Sequence, residues 1–409
     1  MPTRRRLIGA SASALLIPLR VVPLAGPAAT AGAHPTAGPS AASIAVDWQR
    51  TAARTIWVER GTPVPLGALY LTFTSLAVHD AAKKAQRRGK HAAAAAVATA
   101  AHDVLREYFP ASGAALDADL ATSLAMVPNG RKEAAGVRIG AAAADAMIAS
   151  REDDGRDDPQ YVYTKADGLG VWQPAEGGAM ALPWLGFVDP VVDVEPVALD
   201  GPDPITSKAY AKDYEEVRRV GAVDSTRRSA KQTAIAQFFA PNAPLMYRNA
   251  VCDLLDAEPL GPLSTTRLFA RIDAAVATAL IETWRLKYEV GFWRPFEAIA
   301  DAAVDGNPRT RPHPTTWVPL IANPAYSDYT SGHAGGTAPF AEVLRRTLGD
   351  HTPLVLEVGG VERRYATLSA LEHDAFHARI WGGLHFRDAM DDGYLLGHTT
   401  ARQVMRAIR

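Results

Sequence analysis

Long stretches of this chain combine a high density of alanine with apolar residues recurring three and four apart, and no long run alternates β-branched with polar residues. Alanine at that density makes good helix and lets helices approach closely, so the pattern predicts an all-α, large helical-bundle protein. Helices are expected over 44–87 in two segments broken by Gly61, Pro63, Pro65 and Gly67, and over 91–109, 115–126 and 134–151. They resume over 209–220, 226–239 with Ser225 as cap, 249–256, 264–290, 334–347, 363–389 with an interruption, and 393–408. Between the two sets, 153–208 is rich in Asp, Gly and Pro, with Tyr161, Tyr163, Trp172, Trp184 and Phe187 interspersed. No long helix crosses it; it either packs its aromatics over the helices as a cleft wall or is a plain connection.

Composition bounds the partners. The 409 residues carry 43 Lys and Arg against 44 Asp and Glu, with 48% hydrophobic and 21% charged residues. That is an ordinary water-soluble globular balance, large enough for one big domain or two fused ones, and nothing in it suggests nucleic acid. Residues 1–33 read differently: Arg4, Arg5 and Arg6 precede the apolar run LIGASASALLIPL and small residues including AATAGA, the layout of an export signal of twin-arginine type. A flexible leader is expected over 34–43, an N-terminal helical part over 44–240 and a C-terminal helical part over 241–409. Cys252 is the only cysteine, which excludes an intramolecular disulfide and a Cys-rich metal site.

Three separated segments carry the chemistry. In KYEVGFWRP, Lys287 and Arg294 lie seven residues apart; on a continuous helix that is almost two turns, placing both cations on one face. In YTSGHAGG, Ser331 and Gly332 precede a helix-forming run and offer a hydroxyl, unpaired amides and the positive end of a helix dipole, with His333 beside them. In ARIWGGLHFRDAMDDG, Arg379 stands six before His385, about 240° round an ideal helix, with Gly382 and Gly383 between. Singly these are a helix cap, a surface ion pair and a packing histidine. Together, three cations, neutral donors and two imidazoles are the equipment for holding a tetrahedral oxyanion and stabilising a five-coordinate one.

At this point the resemblance is specific. The three segments are similar to the signature segments K-x6-R-P, P-S-G-H and S-R-x5-H-x3-D of the vanadium-dependent haloperoxidases and the related type 2 phosphatidic acid phosphatases. AVHDAA at 77–82, AAHDVLREYFP at 100–110, GLGVWQP at 168–174 and STRRSAKQTAIAQFF at 225–239 resemble the exported bacterial branch of the haloperoxidases. The resemblance implies two packed helical bundles. It implies vanadate as cofactor, with phosphate able to occupy the same site, and makes Lys287, Arg294, Ser331, Gly332 and Arg379 ligands to the oxyanion. His385 is implied as the residue bonded to vanadium, His333 as the acid/base, and Lys287 as a polarising group. Trp284 and Tyr326 are implied as halide-pocket residues. Thr330 and Ala378 replace the family's proline and serine, and Ala389 stands where many relatives have Asp; Asp388, one position earlier, is the expected second-shell carboxylate for His385.

The implied activity is oxidation of halide, bromide more readily than chloride, by hydrogen peroxide, with an organic acceptor taking the halogen. A soluble exported acid phosphatase using a phosphohistidine intermediate is the alternative, and a non-enzymatic oxyanion-binding helical protein the second. The expected location is periplasmic or extracellular, without stable membrane insertion, and a homodimer is a further expectation. No uncharged apolar span of eighteen residues follows the leader.

Overall fold

The alanine-rich stretches form helices packed at close range. In this computed structural model, which describes residues 40–409, they are α1 Ala41–Ala53, α2 Val64–Ala85, α3 Lys90–Tyr108, α4 Gly113–Ala125, α5 Arg131–Ala149, α6 Lys208–Val220, α7 Ala230–Phe238, α8 Ala243–Ala257, α9 Pro262–Val290, α10 Pro295–Ala300, α11 Gly332–Leu348, α12 Leu368–Trp381 and α13 Arg387–Ala407. A hairpin, β1 Leu354–Val358 antiparallel to β2 Val361–Tyr365, is the only sheet among the described residues. The expected export segment 1–33 lies outside them.

Several boundaries differ from expectation for identifiable reasons. Helix α1 begins at Ala41, inside the stretch expected as leader, because the Ser40 side chain accepts from Ser43 N and caps it. Helix α7 begins at Ala230 rather than Thr226, since Ser229 and Gln232 cap its first turn reciprocally. Ser225, expected as that cap, instead donates its hydroxyl to Arg219 O. The stretch from Arg363, expected as helix, starts in β2. Helix α13 starts at Arg387 and continues through Gly393, whose missing side chain lets it lie against Ala334 of α11.

Helix α9, 29 residues long, is the central rod, packed by α2, α11 and α13, while α3 lies along α2 and α5. A main apolar cluster runs from α1 to α13 and so crosses the expected boundary at 240/241. A smaller one gathers Tyr210, Tyr214, Trp293, Trp317 and Phe386. Inside the main core Asp273 of α9 accepts from Arg248 of α8 and Ser75 of α2, and Ser75 accepts from Gln49 of α1 at 2.9 Å, so one buried polar chain ties four helices. No described helix is long and apolar enough to cross a membrane.

The segment 150–207 has no α-helix and does pack aromatics over α9. Tyr161 stacks on Phe187 at 3.9 Å between ring centroids, and Tyr288 of α9 meets both rings edge-on. Gly186 lies so close to α9 that a Cβ would stand 2.2 Å from Arg285 N. The segment also pairs with the chain beyond α9: Trp172 N donates to Gly291 O at 2.8 Å and Trp293 N to Gly170 O at 3.0 Å.

Close helix contact is most stringent between α3 and α5, where a Cβ on Gly140 would stand 2.5 Å from Ala96 O. A backbone oxygen cannot move aside as a side chain can. Gly140→Val is therefore expected to lower stability in urea denaturation by about 1–3 kcal/mol, although removing glycine from a helix interior normally gains a few tenths to about 1 kcal/mol.

Candidate functional site

Lys287 lies in the last turn of α9, whose C-terminus is set by Gly291 in the left-handed conformation, φ 63°. The chain turns there, so Lys287 and Arg294 do not share one helix face as the spacing suggested. Arg294 is instead the N-cap of α10, its backbone amide held by Glu297 at 2.8 Å, while the other Glu297 oxygen accepts from Gln173 N at 2.9 Å. The two cations still converge, because both reach the backbone of 326–328. Lys287 Nζ donates to Ser327 O and Asp328 O, each at 2.9 Å. Arg294 donates to Tyr326 O at 2.7 Å, Ser327 O at 3.3 Å and Leu384 O at 2.8 Å.

That carbonyl-bearing segment leads into the N-terminus of α11. Ser331 caps the helix, and its own amide donates to Ala389 O at 2.9 Å. The Ser331 amide is thus spent on α13; the amides of Gly332 and His333 face no acceptor among the described residues. A Cβ on Gly332 would sit 3.2 Å from the Trp284 ring, so glycine keeps this helix end against that indole.

The third segment is not one helix either. Arg379 lies in α12, and the turn 382–386 carries His385 to the start of α13. Gly383 makes this turn possible: its φ is 76°, and a Cβ would stand 2.6 Å from Gly221 O. Arg379 donates to Phe239 O at 3.4 Å, and its Nε has no partner. His385 Nδ1 lies 2.7 Å from Asp328 Oδ1. The ring N–H is not aimed at that oxygen, so the contact is a close approach rather than an in-line hydrogen bond.

This corrects the expected carboxylate partner of His385. The carboxyl beside His385 is Asp328, three residues before Ser331, whereas Asp388 faces away and accepts from Asp203 N at 3.2 Å. Asp388 sits on α13 among Asp203, Asp213 and Asp392, and burial with those like charges pushes it up to about 7. Sequence reasoning also missed Phe239 O, which accepts from Arg379. A backbone acceptor carries no residue signature, but its carrier lies in the noted segment STRRSAKQTAIAQFF, where Arg228 ties the α6–α7 turn to Trp381 O of α12 at 3.2 Å.

The electrostatics are one-sided. Lys287 and Arg294 are fully buried and Arg379 is 3% exposed, against the single buried carboxyl of Asp328. Burial, then Arg294, holds Lys287 well below an ordinary lysine, and burial brings Arg379 down to about 10. Burial pushes Asp328 up to about 7 against the pull of Arg294 and Lys287. His333 and His385 are held well below an ordinary imidazole, first by burial and then by the neighbouring cations, so both rings are neutral. With Lys287 and both guanidiniums protonated and Asp328 ionised, the cluster has two positive charges in excess. An unpaired Arg379 Nε, two unpaired helix amides and that excess fit a small oxyanion carrying more than one negative charge.

In front of this seat lies a cavity of about 240 Å³ whose floor carries Gly332, His333 and Arg379. Trp284 and Tyr326 form one wall, their ring centroids 5.0 Å apart, and Tyr326 presents its face to Lys287 Nζ and to the Arg294 guanidinium, each 5.0 Å from its centroid. Trp284 is fixed from behind by donating to Ala181 O at 3.2 Å.

Fold and site together define a helical-bundle protein with a buried cationic cluster at the base of an apolar cavity. Residues 267–409 match the family described as the VCPO second helical-bundle domain. The chain is 30% identical over 166 residues to vanadium chloroperoxidase of Curvularia inaequalis; the match covers 33% of this chain and spans 27% of the fungal protein's length. A crystal structure described as the first bacterial vanadium-dependent iodoperoxidase superposes with a TM-score of 0.72 at 18% identity, over 89% of this chain and 96% of that one. An apo-type bacterial vanadium-dependent chloroperoxidase superposes with a TM-score of 0.68 at 17% identity, over 85% of this chain and 95% of that one. The C-terminal segment thus matches that domain family, and the fold of the chain is that of these bacterial peroxidase structures.

Two outcomes follow from the charge arrangement. Orthovanadate or orthophosphate at about a hundred times its Kd should stabilise the chain by about 2.7 kcal/mol, and Arg379→Met should remove most of that increment in thermal melts. The pH dependence of His333 has a definite sign: a depressed imidazole contributes stability that is present above the ordinary imidazole range and lost as pH falls below it. Relative to wild type, His333→Gln should therefore gain stability below about pH 6.5, by up to about 1.4 kcal/mol per pH unit, and show no relative drift above it.

Proposed function

We propose that the chain is a vanadate-dependent haloperoxidase that oxidises halide with hydrogen peroxide, bromide more readily than chloride. The observation that carries this reading is the convergence of three buried cations and unpaired helix amides on a volume faced by two neutral imidazoles. The fold likeness to proteins named as vanadium-dependent iodo- and chloroperoxidases supports it.

Vanadate would be held through its oxygens by Lys287, Arg294, Arg379, the Ser331 hydroxyl and the Gly332 amide, with His385 on the metal. Bound there, it supplies a Lewis-acidic centre that activates peroxide for a two-electron transfer while keeping its own oxidation state. The chain's residues do the rest. His333, neutral, takes a proton from entering peroxide and returns it to the departing oxygen. Lys287, fixed by two carbonyls, has one N–H left to draw electron density from the oxidant. Asp328 lies against the Nδ1 side of the His385 ring, which leaves Nε2 for the seat. The balance is one peroxide, one halide ion and one proton giving one hypohalous acid and one water.

The same constellation supports a phosphatase, and one observation favours keeping that reading: His385 is an imidazole backed by a carboxyl, as a histidine nucleophile requires. The two separate cleanly. Vanadate-loaded protein is expected to oxidise bromide or iodide with peroxide; cleavage of an aromatic phosphate, inhibited by vanadate, would overturn the peroxidase reading. His385→Ala should lose turnover and tight vanadate binding together. His333→Ala should lose about 10²–10⁴-fold in turnover yet retain vanadate in equilibrium dialysis, and unchanged turnover in both variants would displace the site.

A further inference from the structure

The cavity above the seat is far larger than peroxide and halide need. Its volume, about 240 Å³, exceeds the about 150 Å³ apolar cavity that is sufficient for a benzene molecule. Its upper walls are aliphatic and proline-rich, with Pro65, Pro241, Pro244 and Pro324 among them. Away from the floor, hydroxyl groups are offered by Tyr247 and Thr337, bonded to each other at 2.9 Å.

Gly336 is the residue that keeps this room open. It is buried in the interior of α11, three residues after His333 and therefore on nearly the same face. A glycine in a helix interior is less favourable than alanine, so packing should account for it. Packing does so for Gly335, where a Cβ would stand 2.8 Å from Thr283 Oγ1. A Cβ on Gly336 would meet nothing within 4 Å, because the position faces both the main cavity and a narrow extension of about 20 Å³ beside Trp57 and Arg248.

We infer that this cavity is the binding chamber for the organic acceptor, that the acceptor is a neutral, electron-rich, single-ring arene of the phenol class, and that Gly336 sets its size limit. The inference rests on the haloperoxidase reading. A neutral ring suits walls without charge, since Arg379 on the floor is engaged once an oxyanion fills the seat. Electron richness is required by the chemistry: hypohalous acid transfers its halogen to a ring carbon, the carbon's hydrogen leaves as a proton, and the hydroxide of the acid takes it as water. Overall, one arene, one halide, one peroxide and one proton give one aryl halide and two waters. Transfer inside the chamber fixes which ring carbon faces the floor.

Phenol titrated into vanadate-free protein, followed by calorimetry, should bind saturably at one site, whereas the three-ring 9-anthrol should not bind. Gly336→Ala should weaken phenol binding and Gly336→Leu should weaken it by about tenfold or more. With vanadate, bromide and peroxide, wild-type protein should brominate phenol at an ortho-to-para ratio different from that of reagent hypobromous acid, and Gly336→Leu should return the ratio to the reagent's. Absence of saturable phenol binding, equal binding of 9-anthrol, or a wild-type ratio identical to the reagent's would overturn the inference. Triiodide formation from iodide and peroxide reports the haloperoxidase reading separately: triiodide without phenol binding sinks the chamber alone, and no triiodide with vanadate bound sinks the reading beneath it. If Gly336→Leu fails to fold, the wild-type size series and product ratio decide.

Discussion

The burial of Lys287, Arg294 and Arg379 around a single carboxyl governs the rest of the architecture. Cations removed from water cost several kcal/mol each unless other groups replace their hydration. Here the replacement is mostly backbone: the carbonyls of 326, 327, 328, 384 and 239 take up the guanidinium and ammonium protons. Carbonyl dipoles solvate a cation without neutralising it. The charge excess therefore persists, fixed in place, and acts on an incoming anion with no reorganisation left to perform.

Holding five carbonyls to that geometry is the task of segments remote from the three motifs. The 168–174 stretch pairs with 291–293 and, through Gln173 and Glu297, sets the backbone amide of Arg294. The 225–239 stretch brings Phe239 O under Arg379, with Arg228 as its tie to the end of α12. Ala181, in the irregular segment, fixes Trp284 from behind, and its own amide donates to Ala325 O at 2.7 Å, one residue before Tyr326. An aromatic-rich loop that looks like a long connection is thus a scaffold for the site's indole wall and for the entrance to the carbonyl segment.

The helical class was legible because it follows from local composition and period, which neighbours do not alter. The residues of the seat were legible as a set because their types and spacings recur in a known pattern, yet the reasons read from spacing failed. Their spacing puts Lys287 and Arg294 on one helix face, whereas Gly291 ends the helix between them and convergence comes from shared carbonyl acceptors. Nearness in sequence points to Asp388 as the partner of His385. Asp328 is near in space, brought there by a different segment whose amide is held by Phe292 O at 2.9 Å. Side-chain pairs across segments and backbone acceptors have no linear signature. The hairpin was missed for a related reason: five-residue strands closed by Gly359 and Gly360 are too short for alternation to stand out.

The seat and the space above it answer to different constraints. The seat's geometry comes from backbone carbonyls, two helix ends and buried charges, so almost any change within it disturbs several buried groups at once. Phosphoryl transfer and halide oxidation ask the same of such a seat: fixed positive charge, a neutral proton carrier, and an imidazole oriented from its far nitrogen. What distinguishes one user of that seat from another must lie where substitution is cheap, on the aliphatic walls and at Gly336, where a side chain changes the shape of the space without touching a charge. The three glycines of α11's first turns show the division: Gly332 and Gly335 are required by contacts with Trp284 and Thr283, and Gly336 by the room it leaves.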